Sequence, residues 1–385
     1  MHQPIAPNIR KNPFARVRKQ IWQDFKLKWW MWSGQIDKSL NYWQQHWRTA
    51  SVEQRPLIAS ALVTHQLYDE ALECLFTIPR DRYNAEIVAL IAQCYYGKGQ
   101  LEQALNVIDQ ALDESMDSRL LELHADCLLE LGNWKDAVNS LEKALRISPN
   151  RSQTLYRLGT VYLYYGELLE ALRCFQGCCN VDSTNPHYWE MKAETHLELG
   201  QLKEAVASFK KALRYGVEPG IHARIAYCYL KLDDIKRGIK HYQKALKYEP
   251  DNYDVLCNLA AVYQHVGKPL KALNLLERAY GLNANDPILL NNYAYTLVHL
   301  GRTRKASEYY KRALELAPNH PIILYNLSVC YAEKGHWEEA IKTLNTLLEA
   351  EPNHTGGWIL LGNIYEKMSH FAEAVDCFNK ALGLV

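Results

Sequence analysis

One spacing governs this sequence: a small residue recurs every 33 or 34 positions, as Ala71, Ala104, Ala137, Ala171, Ala205, Gly238, Ala272, Ala306, Ala340 and Ala374. Twelve places before each stands a second small residue: Ala59, Ala92, Ala125, Gly159, Ala193, Ala226, Ala260, Ala294, Ser328 and Gly362. Each pair sits in two helical patterns separated by a turn. In the unit from Pro321 to His354, Leu324, Leu327, Ser328 and Tyr331 share one face of a helix, because positions three, four and seven apart line up. Beyond the turn at Lys334 and Gly335, Ala340, Leu344 and Leu347 repeat the pattern. Small residues on both helices let the two approach closely. Such a hairpin keeps apolar surface on both flanks, so it must stack on copies of itself.

Three further features recur in the same register. An aromatic follows the first small residue by three places in Tyr95, Tyr162, Tyr229, Tyr263, Tyr331 and Tyr365. A large apolar residue follows the second by four in Phe175, Phe209, Tyr242, Tyr310 and Phe378. Proline closes the unit at Pro149, Pro250, Pro318 and Pro352, where it cannot continue a helix. This set resembles the tetratricopeptide repeat family, and ten tandem units run over residues 52–385. The resemblance implies an all-α, right-handed superhelical solenoid of antiparallel helix pairs, whose first helices line a concave groove that binds partners. Pentatricopeptide repeats have a similar length and read RNA, but lack this register. Repeat six departs most from the pattern, with Gly238 at the marker and Asp233 and Asp234 at the turn. Glycine inside a helix costs about 0.5–1 kcal/mol relative to alanine, so a bend or softer joint is expected there. The chain stops at Val385, directly after the tenth second helix, which leaves an uncapped face suited to self-association.

A solenoid grows linearly, so the 385 residues read as one array preceded by an amino-terminal segment. Residues 1–12 contain Pro4 and Pro7 and read as flexible. Residues 13–51 are basic and tryptophan-rich: residues 1–51 hold nine Lys/Arg against two Asp/Glu, and six of ten tryptophans fall between Trp22 and Trp47. Two readings fit this stretch. It is a degenerate repeat capping the stack, with Gly34, Ser39 and Trp43 in the turn, marker and aromatic places, or it is an aromatic basic helix lying on a membrane surface. The remainder is mildly acidic, which argues against a nucleic-acid partner. Ten cysteines occupy helical packing places, where cysteine acts as a small apolar residue. That usage, with no stretch of eighteen apolar residues, points to the cytoplasm.

No phosphate-cradling glycine loop, nucleophile elbow or metal-ligand spacing occurs, so no catalytic residue, metal or cofactor is expected. Function then falls to the groove, whose candidate residues come from the first helices. With the fourth, seventh, eighth and eleventh places packed, the fifth, ninth and thirteenth point roughly the other way, and the sixth lies on the edge of that face. Repeats three and five present two carboxylate triplets there, Glu122, Asp126, Glu130 and Glu190, Glu194, Glu198, with Tyr156, Thr160 and Tyr164 between them. Repeats seven to nine carry Asn258, Asn292 and Asn326 at the sixth place, beside Asn291, Tyr295 and Tyr325.

A primary amide donates and accepts together, so an asparagine row can grip the backbone of an extended peptide. The row resembles the ladder in the repeat domain of O-linked N-acetylglucosamine transferases; the alternative is that it ties neighbouring helices. The triplets would hold a basic segment of the partner, with Tyr156 and Tyr164 packing its aliphatic stems, or form a solvated acidic face relieved by Arg119 or Arg157. The carboxylate-clamp pattern of chaperone-binding repeats is absent. The expectation is therefore a non-enzymatic scaffold for a protein or peptide, with two alternatives: a membrane-surface assembly factor, or the regulatory subunit of a separate enzyme.

Overall fold

The computed structural model describes residues 48, 50–216 and 219–384. The expected amino-terminal cap or membrane helix, with Gly34, Ser39, Trp43 and the tryptophans to Trp47, lies outside the described residues. Packing groups the chain into two compact units that meet at Thr184 and Asn185, inside what the sequence reads as one uninterrupted array. Among the described residues the first unit holds four helical hairpins: α1 (Arg55–Thr64) and α2 (Tyr68–Phe76), α3 (Ala85–Gly97) and α4 (Leu101–Glu114), α5 (Ser118–Glu130) and α6 (Trp134–Ile147), α7 (Ser152–Tyr164) and α8 (Leu168–Val181). The second holds six. They are α9 (Pro186–Glu198) and α10 (Leu202–Tyr215), α11 (Pro219–Lys231) and α12 (Ile235–Tyr248), α13 (Tyr253–His265) and α14 (Pro269–Leu282). Next come α15 (Pro287–His299) and α16 (Thr303–Leu316), α17 (Pro321–Glu333) and α18 (Trp337–Ala350), α19 (Thr355–Lys367) and α20 (Phe371–Ala381). No strand occurs among the described residues.

The boundaries follow from local chemistry. First helices start on polar caps: Asn84, Asp117, Asn252 and Asp286 each accept a backbone N–H of the first turn, at 3.0, 2.8, 3.1 and 2.7 Å, which satisfies donors the helix cannot. Pro186, Pro287 and Pro321 open α9, α15 and α17, where a missing N–H costs nothing. Each hairpin turn places one residue in the left-handed region. Gly335 adopts φ 74° and lets the His336 N–H reach the Tyr331 carbonyl at 3.0 Å, closing the end of α17. In repeat six Asp233 takes that conformation, at φ 61°, and Asp234 then caps α12 through the Arg237 N–H at 2.9 Å. Aspartate tolerates this region better than most residues with a Cβ.

Within each unit every first helix packs on its own second helix, and every second helix packs on the next first helix. The small residues sit at these crossings. Nine of the ten marker residues from Ala71 to Ala340 are buried without exposure or nearly so, as are Ala59, Ala92, Ala125, Ala193, Ala226, Ala260, Ala294 and Ser328. At Gly159 and Gly362 even a methyl would collide with the rings of Phe175 and Phe378, 2.9 and 2.6 Å away. Phe175, Phe209 and Tyr310 are fully enclosed, each contributing about 1.5–3 kcal/mol through burial.

No bend is seen at Gly238, where the sequence predicts a bend or softer joint. Helix α12 runs unbroken through it, and a Cβ there would meet the Leu230 side chain at 2.7 Å. The glycine serves close packing against α11, which offsets its cost as a helix former.

First helices also touch the first helices of neighbouring repeats, as α1 with α3, α3 with α5, α13 with α15, α15 with α17 and α17 with α19. They form the crowded side of each stack.

Candidate partner-binding face

The carboxylate triplets are not bare. Glu122, at the fifth place of α5, is only 6% exposed; it accepts the Thr154 hydroxyl and lies 3.0 Å from Arg151 Nε, both groups coming from the start of the next first helix. Asp126 accepts from Arg157 Nη1 with both oxygens, at 3.1 and 2.9 Å. Glu130 is exposed and accepts the Tyr96 hydroxyl at 3.3 Å. The helix register places Glu122 towards the groove, but the neighbouring α7 covers it. Arg119, one cation expected to relieve the triplet, instead pairs with Asp117 at 3.4 Å.

The second triplet repeats this logic. Glu194 forms an ion pair with Arg224 of α11, Glu190 lies 3.6 Å from His187, and Glu198 is exposed. Burial pushes the carboxyls of Asp126 and Glu194 above their usual range. The arginine pulls each back, while the like charges above and below, Glu122 and Glu130 or Glu190 and Glu198, push the same way as burial. Both arginines stand at the sixth place of their helix, opposite a ninth-place carboxylate of the preceding first helix. Arg224 is the ion-pair partner that sequence reasoning missed; a charge complement some 30 residues downstream is the signal that could have found it.

On α7, Tyr164 is 83% exposed and rests edge-on against Tyr165 at 5.0 Å. Tyr156 is half-buried against Phe175, ring centres 5.9 Å apart, and Thr160 returns its hydroxyl to the Arg157 carbonyl. The triplets belong to different compact units, so each makes its own local surface.

In the second unit the asparagine row is partly tied. Asn326 donates to Asn291 Oδ1 at 2.9 Å, and Asn291, itself buried, donates on to Asn292 Oδ1 at 3.3 Å. Gln264 secures the Asn292 carbonyl at 2.8 Å and the Thr296 hydroxyl at 2.6 Å. Asn258 is exposed, and Asn292 and Asn326 are half-buried. Tyr295 is exposed and meets His299 edge-on at 4.5 Å; Tyr325 packs near His354 at 5.4 Å. The face is therefore a surface of preset amides and aromatic rings on touching first helices.

All ten cysteines are free thiols, and nine are buried. Burial pushes Cys174 and Cys178 up to about 12, so both stay protonated and unreactive. Among the described residues no cluster of His, Cys, Asp or Glu could hold a metal ion, and no helix is long and apolar enough to cross a membrane.

Comparison with known proteins decides the family. Residues 169–385, more than half of the chain, match the family described as the Cilia and flagella-associated protein 70 C-terminal domain, a tetratricopeptide-repeat domain. The chain belongs to this tetratricopeptide-repeat family. A second family description, the Anaphase-promoting complex, cyclosome, subunit 3, matches residues 77–144 of the repeat protein. Tetratricopeptide repeat protein 13 of Homo sapiens is 31% identical over 176 residues, 44% of this chain and 20% of that protein. DnaJ homolog subfamily C member 3 of Bos taurus is 24% identical over 203 residues, 48% of this chain and 40% of that protein. The repeat protein thus covers well under two thirds of these relatives. In structure it is similar to the C-terminal part of a TPR repeat-containing protein from Cytophaga hutchinsonii, with TM-score 0.51 and 16% identity over 60% of this chain and 95% of that one. That similarity speaks for the fold. The class of function these relatives support is a protein-interaction scaffold.

Proposed function

We propose that this tetratricopeptide-repeat protein is a non-catalytic scaffold that holds an extended polypeptide on the face of its first helices. The observation that carries the reading is the amide row of the second unit. Asn258, Asn292 and Asn326 follow one another at one-repeat spacing on touching helices, and Asn326 and Asn292 are pre-set by the hydrogen bonds through Asn291. Fixed amides lose little freedom when they pair with a peptide backbone. Tyr295 and Tyr325 supply apolar area beside them. In the first unit Glu130 remains for a basic segment, and in the second Glu190 and Glu198 form a separate acidic surface; Asp126 and Glu194 already hold arginines. The descriptions of the matching families, one associated with cilia and flagella and one a subunit of a larger complex, support a role in holding parts of an assembly together.

Photo-crosslinking tests the proposal. Peptides selected from a display library against the full chain are added to variants carrying p-benzoylphenylalanine at Tyr295, Tyr325 or, as the outer-face comparison, Lys342. The expected result is crosslinking from Tyr295 and Tyr325, with loss of binding in Asn258→Ala/Asn292→Ala. Crosslinks confined to Lys342, or binding unchanged in the double variant, would refute it.

A further inference from the structure

The second helices of repeats five and six carry charge of one sign. Helix α10 bears Lys203, Lys210, Lys211 and Arg214 against the single Glu204, and α12 bears Lys236, Arg237, Lys240, Lys244 and Lys247 with no acidic residue. All nine cations are exposed. Lys236, Lys240, Lys244 and Lys247 follow at intervals of four, four and three, so they form one stripe along α12. Among the described residues only Arg237 of this set has a carboxylate within ion-pair distance, Asp234 at 2.5 Å. Like charges aligned in this way repel unless something answers them. The repulsion reaches inward: His241, beneath the stripe, is held well below the ordinary histidine value by burial, by His222 and by Lys244, Lys210 and Lys240.

A cleft opens beside the stripe. The second helices α12 and α14 form its two sides, and α13 lies beneath with its floor side chains buried. Leu246 and Lys247 form one wall, Leu270 and Lys271 the other, and Leu259 and Tyr263 the floor. Leu270 is 68% exposed at the rim. The Tyr263 ring is already covered by Lys271 at 5.7 Å, and its hydroxyl accepts from Gln243 at 3.0 Å.

We infer that this outer cleft, with the α12 lysine stripe, is a second binding surface that takes an acidic polypeptide segment bearing an aliphatic anchor. An aliphatic side chain fits the leucine-walled floor, and carboxylates on both sides of it meet Lys247 and Lys271 at the rims and Lys240 and Lys244 along the stripe. Nucleic acid suits the cleft less well, because single strands need open aromatic faces for stacking and the ring on its floor, Tyr263, is covered by Lys271. A membrane surface suits it less well too, since binding there needs a broad apolar face rather than one leucine. The surface lies on the side of the stack opposite the first-helix face, so one chain could hold two segments at once.

The experiment uses the full chain and a fluorescein-labelled probe peptide with a central leucine flanked on each side by three glutamates, followed by anisotropy at low and at physiological salt. Two companion probes replace the leucine by glycine, or the peptide by a labelled oligo-dT. The expected result is salt-sensitive binding of the leucine peptide. It should weaken by about tenfold or more in Lys240→Glu/Lys247→Glu and several-fold in Leu270→Ser, and persist in the charge-matched control Lys334→Glu/Lys342→Glu. The side chains replaced are exposed, and circular dichroism checks that the variants fold. Absence of binding, equal binding of the glycine peptide or oligo-dT, or no loss in the double reversal would overturn the inference.

Discussion

The ion pair between Glu194 and Arg224 makes an asymmetric prediction. Its side chains differ in access to water: 18% exposure for the glutamate against 48% for the arginine. Removing the carboxylate charge by Glu194→Gln leaves Arg224 free to turn to solvent and relieves repulsion from Glu190 and Glu198, so stability should change by no more than about 0.5 kcal/mol. Removing the cation by Arg224→Ala leaves a largely buried carboxylate between two like charges. That should cost about 1–3 kcal/mol, below the figure for a fully buried pair because water still reaches the site. The double variant should return close to the parent, because the stranded charge is gone.

The pH dependence provides the sharper check. The Glu194 carboxyl is already held above its usual range, burial being the largest cause, and losing Arg224 lifts it further. A carboxyl whose folded-state value is raised destabilises the fold above that value, and the penalty fades as pH falls through it towards the unfolded value. The deficit of Arg224→Ala relative to the parent should therefore be greatest at neutral pH and shrink in mild acid. Hydrogen exchange in α9 and α11 at several pH values, each variant against the parent, reports it. If Arg224→Ala proves as harmless as Glu194→Gln, or its deficit is the same in mild acid as at neutrality, the carboxylate is not stranded and the reasoning fails.

Two other outcomes follow from the packing. Ala306, buried without exposure at the α15–α16 crossing, should tolerate leucine poorly. Ala306→Leu should cost about 1–3 kcal/mol by overpacking, with exchange protection lost in the neighbouring hairpins and kept in distant ones; uniform loss throughout the second unit would contradict nearest-neighbour stacking. His241, held at about 4, is neutral in the folded protein, and His222 beside it is lowered mainly by burial and then by Lys244. Stability is complete above the unfolded histidine value of about 6.5 and is lost as pH falls from there towards the folded value, by roughly 1–3 kcal/mol with partial hydration allowed for. Thermal unfolding of the full chain should show this slope and His241→Gln should flatten it; an unchanged slope would place the acid sensitivity elsewhere.

The hairpins were legible in the sequence because their causes are local and repeated. Ala340 and Ser328 mark a crossing wherever they recur, and Gly335 marks a turn whose left-handed residue can be glycine, or Asp233 where repeat six differs. Side chains whose surroundings come from another repeat were less legible. Glu122 has a groove-facing register on α5, yet Thr154 and Arg151 close over it; one helix's periodicity says nothing about what its neighbour covers. The lysine stripe of α12 was hidden for a different reason. Summed over residues 52–385 the charge is slightly negative, and only a count by face and by helix reveals the stripe.

One positional rule connects these cases and narrows the proposed partner face. A sixth-place side chain reaches back to the preceding first helix when that helix offers a group to meet it: Arg157 to Asp126, Arg224 to Glu194, Asn326 to Asn291. Where such a partner exists, the sixth-place residue is structural first, and replacing it disturbs the joint between two repeats. The first helices preceding Asn258 and Asn292 offer no such group: their ninth places are Tyr227 and Ala261 and their fifth places Ala223 and Cys257. Asn258 is accordingly exposed and Asn292 only half-buried. The sixth-place amides with most hydrogen-bonding capacity left are therefore those of repeats seven and eight, while Asn326 anchors the end of the row. A peptide gripped there would lie across α13 and α15, with Tyr295 at its side, and would be held by the Asn258 amide and by the Asn292 amide nitrogen, while Asn292 Oδ1 keeps its bond from Asn291.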